Sequence, residues 1–539
     1  MRIAKVVPTR SFFTLKAVAL ATSLIFSHTP VVAQVTAFKQ AVAEAISGDD
    51  ALASFYRARD FEPIWTNGNG QSRQRLRAFL RALENSGDHG LPMGRYSPDE
   101  IRADLRDADN ARERGALEVE LSRQYLQFSR DLQTGIIENP RRIDSGIVRQ
   151  IPRRDRVELL ETIATRSPNG VFRALAPRTP EYTRLMAEKV RMERLLGQGG
   201  WGPEVSSNAL EPGQSGAGVV SLRNRLIAMG YLRRDATQTY DGAIQTAVQA
   251  FQVDHGLTSD GVAGRGTITE INRSVEDRLQ SVIVAMERER WLNRDRGSRH
   301  ILVNITDFTA RIIDNGEVTF QTRSVVGAND SDRRTPEFSD VMEHIVINPT
   351  WNVPRSITTN EYLPQMQRNP NAAGHLQLID SRGRVVNRAN VDFSQYTART
   401  FPYAMRQPPS PRNALGRVKF IFPNQYNIYL HDTPAQNLFS REVRTFSHGC
   451  VRLDDPYDFA YALLAAQESD PRGFFHRSLD SNRETFVPLE TQVPVHLIYR
   501  TAFTQARGRI NFRRDAYGRD ARVWNALRDA GVVIRSIRS

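Results

Sequence analysis

The sequence predicts a multidomain α+β chain: a helical N-terminal scaffold, a small three-helix domain, and a mainly-β domain carrying a large insertion. Three observations predict it. Apolar residues recur at helical spacing from Thr36 to about Leu196, seven glycines and two prolines crowd residues 197–218, and from His300 the apolar period drops to two. A length of 539 residues suits two to four cores rather than one.

The first segment, 1–33, reads as a secretory signal peptide. Arg2, Lys5, Arg10 and Lys16 precede the short apolar run Ala17–Phe26, and Val31-Val32-Ala33 offers a cut before Gln34. The run is too short to span a bilayer, and no later stretch is long enough, so no transmembrane segment is expected in the mature chain. Export turns the basic balance (73 Lys plus Arg against 60 Asp plus Glu) away from nucleic acid and towards wall polymer or anionic lipid.

Residues 34–196 form the scaffold. Leu76, Phe79, Leu80 and Leu83 share one helical face, as do Leu117, Leu121, Tyr125, Phe128 and Leu132 in the stretch Ala111–Leu132. The charged residues between them fit the solvated side of a bundle, and no catalytic cluster occurs there. Residues 197–218 read as a linker or a domain entry. In 219–275, Val219, Leu222, Leu226 and Met229 make a first helix. Asp241-Gly242 opens a second with Ile244, Val248 and Phe251 inward, and Thr267, Ile268 and Ile271 mark a third. The pattern Leu222…Leu226…Gly230-Tyr231-Leu232, Ala247-Val248…Phe251-Gln252 and Asp260-Gly261-Val262…Thr267 resembles a three-helix peptidoglycan-binding domain. That resemblance supports the fold better than it supports retained glycan binding.

Period-two alternation at Ile301, Val303 and Ile305 opens the β region, and Asp314-Asn315-Gly316 signals a hairpin. Further strands are expected at Val341–Asn348, Val418–Phe422, Tyr426–His431 and Val493–Arg500, with a C-terminal helical segment in 503–539. The Pro-, Arg- and Asn-rich stretch 354–411 is too long for a loop and reads as a lid or subdomain over a site.

The chemistry concentrates in Ser447-His448-Gly449-Cys450-Val451-Arg452, downstream of His431. A thiolate is the nucleophile, and a neighbouring imidazole takes its proton. Gly449 permits close backbone approach, so amides around Gly449 and Cys450 could donate to an oxyanion, and Arg452 could hold a carboxylate. A lone cysteine is commonly a small buried hydrophobe. Export argues the other way, because an unpaired thiol in an oxidising compartment is a liability unless its reactivity is used. Zinc held by His431, His448 and Cys450 lacks a fourth ligand in the sequence, so no metal is expected.

His431 followed by Ser447–Arg452 resembles the signature of the YkuD-type L,D-transpeptidases over residues 299–502. The domain order resembles their periplasmic YcbB-like branch. The resemblance implies Cys450 as nucleophile, His431 as its base, and Gly449 and Cys450 as oxyanion donors. It places Tyr429, His448, Ser447 and Arg452 around the substrate and Trp351 at the cleft floor, although a core aromatic is an equal reading of Trp351. It further implies a periplasmic enzyme without cofactor, inhibited by carbapenems, that joins diaminopimelate residues of peptidoglycan stem peptides. Its expected partners are those stems, their glycan and other wall-synthesis enzymes. A hydrolase acting on the same bond and a noncatalytic wall-binding protein remain as alternatives.

Overall fold

A computed structural model describes residues 36–506 and 508–537, so the signal-peptide reading of 1–33 lies outside the described residues. No described helix is long and apolar enough to cross a membrane.

The scaffold is helical from Ala37–Ala45 through Pro180–Gly197. Its longest helix, Ala111–Thr134, starts at a capping box in which Asn110 and Glu113 satisfy each other's backbone N–H groups. The stripe read from the sequence faces inward: Phe79, Leu83, Leu121, Tyr125, Phe128 and Leu132 are buried in one core with Trp65. Buried Glu118 on this helix accepts N–H bonds from Ile64 (2.7 Å), Trp65 (3.0 Å) and Thr66 (2.9 Å), which pins the preceding loop against it.

The helix Val275–Trp291 falls between the elements the sequence predicts, and its run Met-Glu-Arg-Glu-Arg has the composition of a solvated face. It is instead buried on every side from Val282 to Trp291. The charges are tolerated because they pair: Arg288 with Glu337 (2.5 Å) and Asp520 (2.8 Å), and Arg290 with Glu287 (2.8 Å). Ile283, Val284 and Trp291 join the scaffold core, as do Val523 and Leu527 of the C-terminal helix Arg519–Asp529.

The small domain has the three expected helices, Ala217–Ala228, Gly242–Asp254 and Arg265–Ile271, around Leu222, Leu226, Ile244, Val248, Phe251 and Ile271. Of the two readings of 197–218, the linker needs correction and the domain entry holds. Val205 and Leu210 are buried in this core, Val205 exchanges two hydrogen bonds with the Asn272 side chain, and Leu210 pairs with Ala263. The glycines there serve turns that fold the entry strand onto the domain. The 503–539 segment is likewise not all helix. Strand Asn511–Phe512 pairs with Ala502–Phe503, and its neighbours cover the small domain. Phe512 stacks on His255 at 5.7 Å, Arg509 lies 4.5 Å over the Tyr231 ring, and Arg513 donates to the Asp254 carbonyl at 2.9 Å.

The third domain is built on β1 (Arg299–Asn304), β2 (Thr309–Asp314), β3 (Glu317–Gly327), β4 (Phe338–Ile347), β9 (Val418–Ile421), β10 (Leu430–His431), β11 (Thr445–Ser447), β12 (Val451–Leu453) and β13 (Thr485–Ile498). Their order is β11-β3-β12-β10-β9-β4-β13-β1-β2, and β2 also bonds to β3, so the sheet closes on itself. The Asn315-Gly316 turn has φ of 52° and 88°, the left-handed pair that a two-residue hairpin requires. Ile301, Val303, Ile345, Phe420, Leu430, Val451 and Val495 fill the interior.

The expected strand Tyr426–His431 shrinks to Leu430–His431. Asn424 accepts the Tyr426 and Ile428 N–H groups and Asn427 takes φ of 52°, so 424–428 is a turn. The insertion is a subdomain of its own: β5 (Trp351–Asn352), β6 (Gln377–Ile379), β7 (Val385–Val386) and β8 (Ala404–Gln407) pair in the order β5-β8-β6-β7 over a separate apolar core.

Candidate active site

Parallel pairing of β10 with β12 sets the site. Leu430 lies opposite Val451 and His431 opposite Arg452, and the Val451 N–H bonds the Tyr429 carbonyl at 3.1 Å. Cys450, one residue earlier, therefore sits beside Tyr429. Tyr429 and His431 project to the same side two residues apart, with ring centroids 5.5 Å apart. Both strand partners are held in the closed sheet, so this juxtaposition belongs to the barrel rather than to a mobile loop.

Cys450 is half-buried, and its thiol donates to the Asn427 carbonyl at 3.4 Å, not to His431. Burial pushes the thiol up to about 11; hydrogen bonding from Tyr429 and the Arg452 charge act against that rise. Burial, then the Arg452 charge, pushes the His431 imidazole down to about 3, so it is neutral at ordinary pH. Its Nδ1–H donates to the Asp432 carbonyl at 2.5 Å, which leaves Nε2 as the proton acceptor.

Gly449 has φ of 111°, and a Cβ there would meet Ile428 at 3.1 Å, so only glycine fits without displacing the side chain behind it. Ser447 is buried at the end of β11, where its carbonyl accepts from the Ala328 N–H at 2.7 Å. Arg452 is partly buried with its Nε unpartnered, and its charge is felt by both Cys450 and His431. His448 is exposed and bonds Glu361 of the insertion at 2.6 Å, which commits its Nε2 to that carboxylate. Trp351 lies in the insertion core, 9% exposed, against Tyr362; Tyr429 packs on the edge of the same core. The structure thus brings Cys450, Tyr429, His431 and Arg452 together, and sets His448 and Trp351 at the seam with the insertion.

Four contributors were not legible beforehand. The Asn427 carbonyl takes the thiol proton bond. Thr335 donates to the Gly449 carbonyl at 2.7 Å and accepts the Gly327 N–H at 2.8 Å. Tyr517 donates to the Gly327 carbonyl at 2.5 Å, and Glu361 holds His448. Thr335 sits in an aperiodic stretch and Tyr517 lies 67 positions past the cysteine, so neither carries a local pattern. Only the Asn424-to-Asn427 turn had a signal, in its paired asparagines.

Residues 298–471 match the family described as L,D-transpeptidase catalytic domain, YkuD. Residues 215–271 match "Putative peptidoglycan binding domain", and 50–188 match "Scaffold domain". The chain carries an L,D-transpeptidase catalytic domain. A curated Haemophilus influenzae protein named "Putative L,D-transpeptidase" is 34% identical over 226 residues, covering 41% of this chain and 45% of that protein. The alignment thus spans less than half of that relative. Solved L,D-transpeptidases of Xylanimonas cellulosilytica (16% identity, 55% of this chain and all of that one) and Stackebrandtia nassauensis (14%, 55% and 97%) superpose with TM-scores of 0.16 and 0.22. Overlap that low carries no structural argument. The L,D-transpeptidase domain contains Cys450, His431 and the loop between them, whereas Tyr517 comes from outside it.

Proposed function

We propose that this chain is a periplasmic L,D-transpeptidase of the YcbB-like branch, exported by residues 1–33, that joins diaminopimelate residues of neighbouring peptidoglycan stems through a Cys450 thioester. The observation that carries the reading is the chain's single cysteine, half-buried beside Tyr429 and His431 within the L,D-transpeptidase domain.

Each group has a role its environment supports. The thiol is protonated at neutral pH, so the nucleophile forms as a substrate carbonyl arrives and the proton leaves for His431 Nε2. Sγ bonds to the diaminopimelate carbonyl carbon. The Gly449 and Cys450 amides receive the oxyanion, and the amide bond to the terminal D-Ala breaks as its nitrogen takes the proton from His431. Attack by a side-chain amine of a second stem then releases the thiol. The thioester conserves the energy of the cleaved amide, so no cofactor is required.

Tyr429 and Arg452 favour the thiolate, and Arg452, with an unpartnered Nε, is suited to a stem carboxylate. The 354–411 subdomain, tied to the nucleophile loop through Glu361 and His448, acts as the lid that keeps water from the thioester. The expected partners are stem peptides, their glycan and other wall-synthesis enzymes.

Residues 34–539 incubated with a disaccharide-tetrapeptide should yield a cross-linked dimer and free D-Ala, both absent with Cys450→Ala. Free D-Ala without dimer would move the assignment to hydrolysis. No reaction at all would leave only wall binding.

A further inference from the structure

A groove of about 1090 Å³ runs between the scaffold helix Ala111–Thr134 and the chain that follows it to Leu159. Nineteen residues line it, and seven are arginines against two acids, Asp49 and Glu138. The whole chain is only +13 over 539 residues, so five net charges in nineteen is a local concentration.

Both acids are already taken, Asp49 by Arg156 at 2.7 Å and Glu138 by Arg130. Arg142 and Arg153 are exposed and make no ion pair or side-chain hydrogen bond among the described residues. Arg154 donates only to the Asn293 carbonyl, at 3.0 Å. Arg149 donates to Ser339 Oγ at 2.9 Å and to the Leu497 carbonyl, again with no carboxylate in ion-pair reach. Burial pushes it down to about 9, and the more distant Glu337 carboxylate only partly opposes that fall.

Arg130 and Arg123 are further offset by Asp131 and Glu120, but Arg142, Arg149, Arg153 and Arg154 have no carboxylate partner among the described residues and repel one another, so the favoured occupant is anionic. Leu126, Ile151, Pro152 and Leu159 give the groove apolar surface between the guanidinium forks. A concave trough of this kind suits an extended chain, whereas a bilayer surface is met by a flat or convex face. Guanidinium forks pair with carboxylates two bonds at a time.

We propose that this groove is a second binding site, separate from the cysteine site, for the carboxylate-bearing stem peptides of the wall. The choice of stem peptide rests on the proposed function above. Its consequence is a raised effective concentration: a strand held by the scaffold presents neighbouring stems to the catalytic domain.

The test uses residues 34–539 with Cys450 capped by a bulky maleimide, which closes the catalytic cleft and, the cysteine being single, labels nothing else. Isothermal titration with a glycan-free tetrapeptide stem should show binding that weakens with salt. The exposed-site variant Arg142→Gln/Arg153→Gln/Arg154→Gln should weaken it at least tenfold with an unchanged melting temperature. Unchanged stem affinity in that variant overturns the proposal. So does intact stem binding with loss of binding to vesicles of anionic lipid, which would make the groove a membrane contact. A chain that binds stems through the groove but never cross-links refutes the proposed reaction alone. One that cross-links with groove variants binding normally refutes the groove alone.

Discussion

The barrel and the insertion beside it use similar apolar residues but are held together differently. In the barrel, eight strands close on one another with β11 added on β3, and each site strand is bonded on both sides: β10 between β9 and β12, and β12 between β10 and β3. The insertion has four short strands, two of them only two residues long, around a separate core of Trp351, Leu363, Met366, Leu378, Phe393 and Met405. Among the described residues, its polar hold on the cysteine loop is one exposed pair, Glu361 with His448. A closed sheet fixes the register of β10 against β12, and with it Cys450 beside Tyr429, while an appended subdomain with its own core can shift without disturbing that register. The cysteine site and the insertion thereby belong to separate cores.

The largest expected effect sharpens the barrel side. Because burial holds the thiol near 11, iodoacetamide alkylation of Cys450 should rise about tenfold per pH unit from pH 7 towards that value, since below its pKa the thiolate fraction grows by that factor. His431 is neutral above about 3, so its protonation should add no inflection between pH 5 and 7. A plateau near pH 8 would show an unshifted thiol.

Next come paired core truncations that set the two regions against each other. Phe420→Ala, in the barrel against Phe459 at 4.8 Å, should cost ~3–5 kcal/mol and distort the site with the sheet. Met366→Ala, fully buried in the insertion, should cost ~2–5 kcal/mol but locally. Limited proteolysis should then cut within 354–411 while alkylation of Cys450 keeps its rate. Equal slowing of alkylation by both would mean the two cores are one.

Thr335→Val leaves the Gly449 carbonyl and the Gly327 N–H without their shared partner, costing ~1–3 kcal/mol, and should lower the melting temperature of the catalytic domain. The smallest effect is expected of Glu361→Gln. An exposed pair of this kind contributes under about 1 kcal/mol, so stability should hold while hydrogen exchange in the insertion speeds up.

The same contrast explains what the sequence made legible. The start of β1 and the Asn315-Gly316 hairpin were readable because Ile301, Val303 and Ile305 recur at period two and a left-handed turn restricts residue type. The cysteine loop was readable because its residues are chemically rare. The helix Val275–Trp291 was not, since buried ion pairs across three segments look in sequence like a solvated face. Asn427 was misread as strand because the 424–428 turn leaves the alternation of Ile428 and Leu430 intact. Thr335 reaches Gly449 and Tyr517 reaches Gly327 across more than 100 residues of sequence, which no local pattern can carry.

The measurement that tests the central claim most directly is the intact mass of residues 34–539 after brief exposure to a tetrapeptide stem, with peptide mapping. The account predicts a covalent adduct on Cys450 equal to the stem less its terminal D-Ala, slowed by His431→Ala and absent from Cys450→Ala. An unmodified Cys450, or an adduct on another residue, would contradict it.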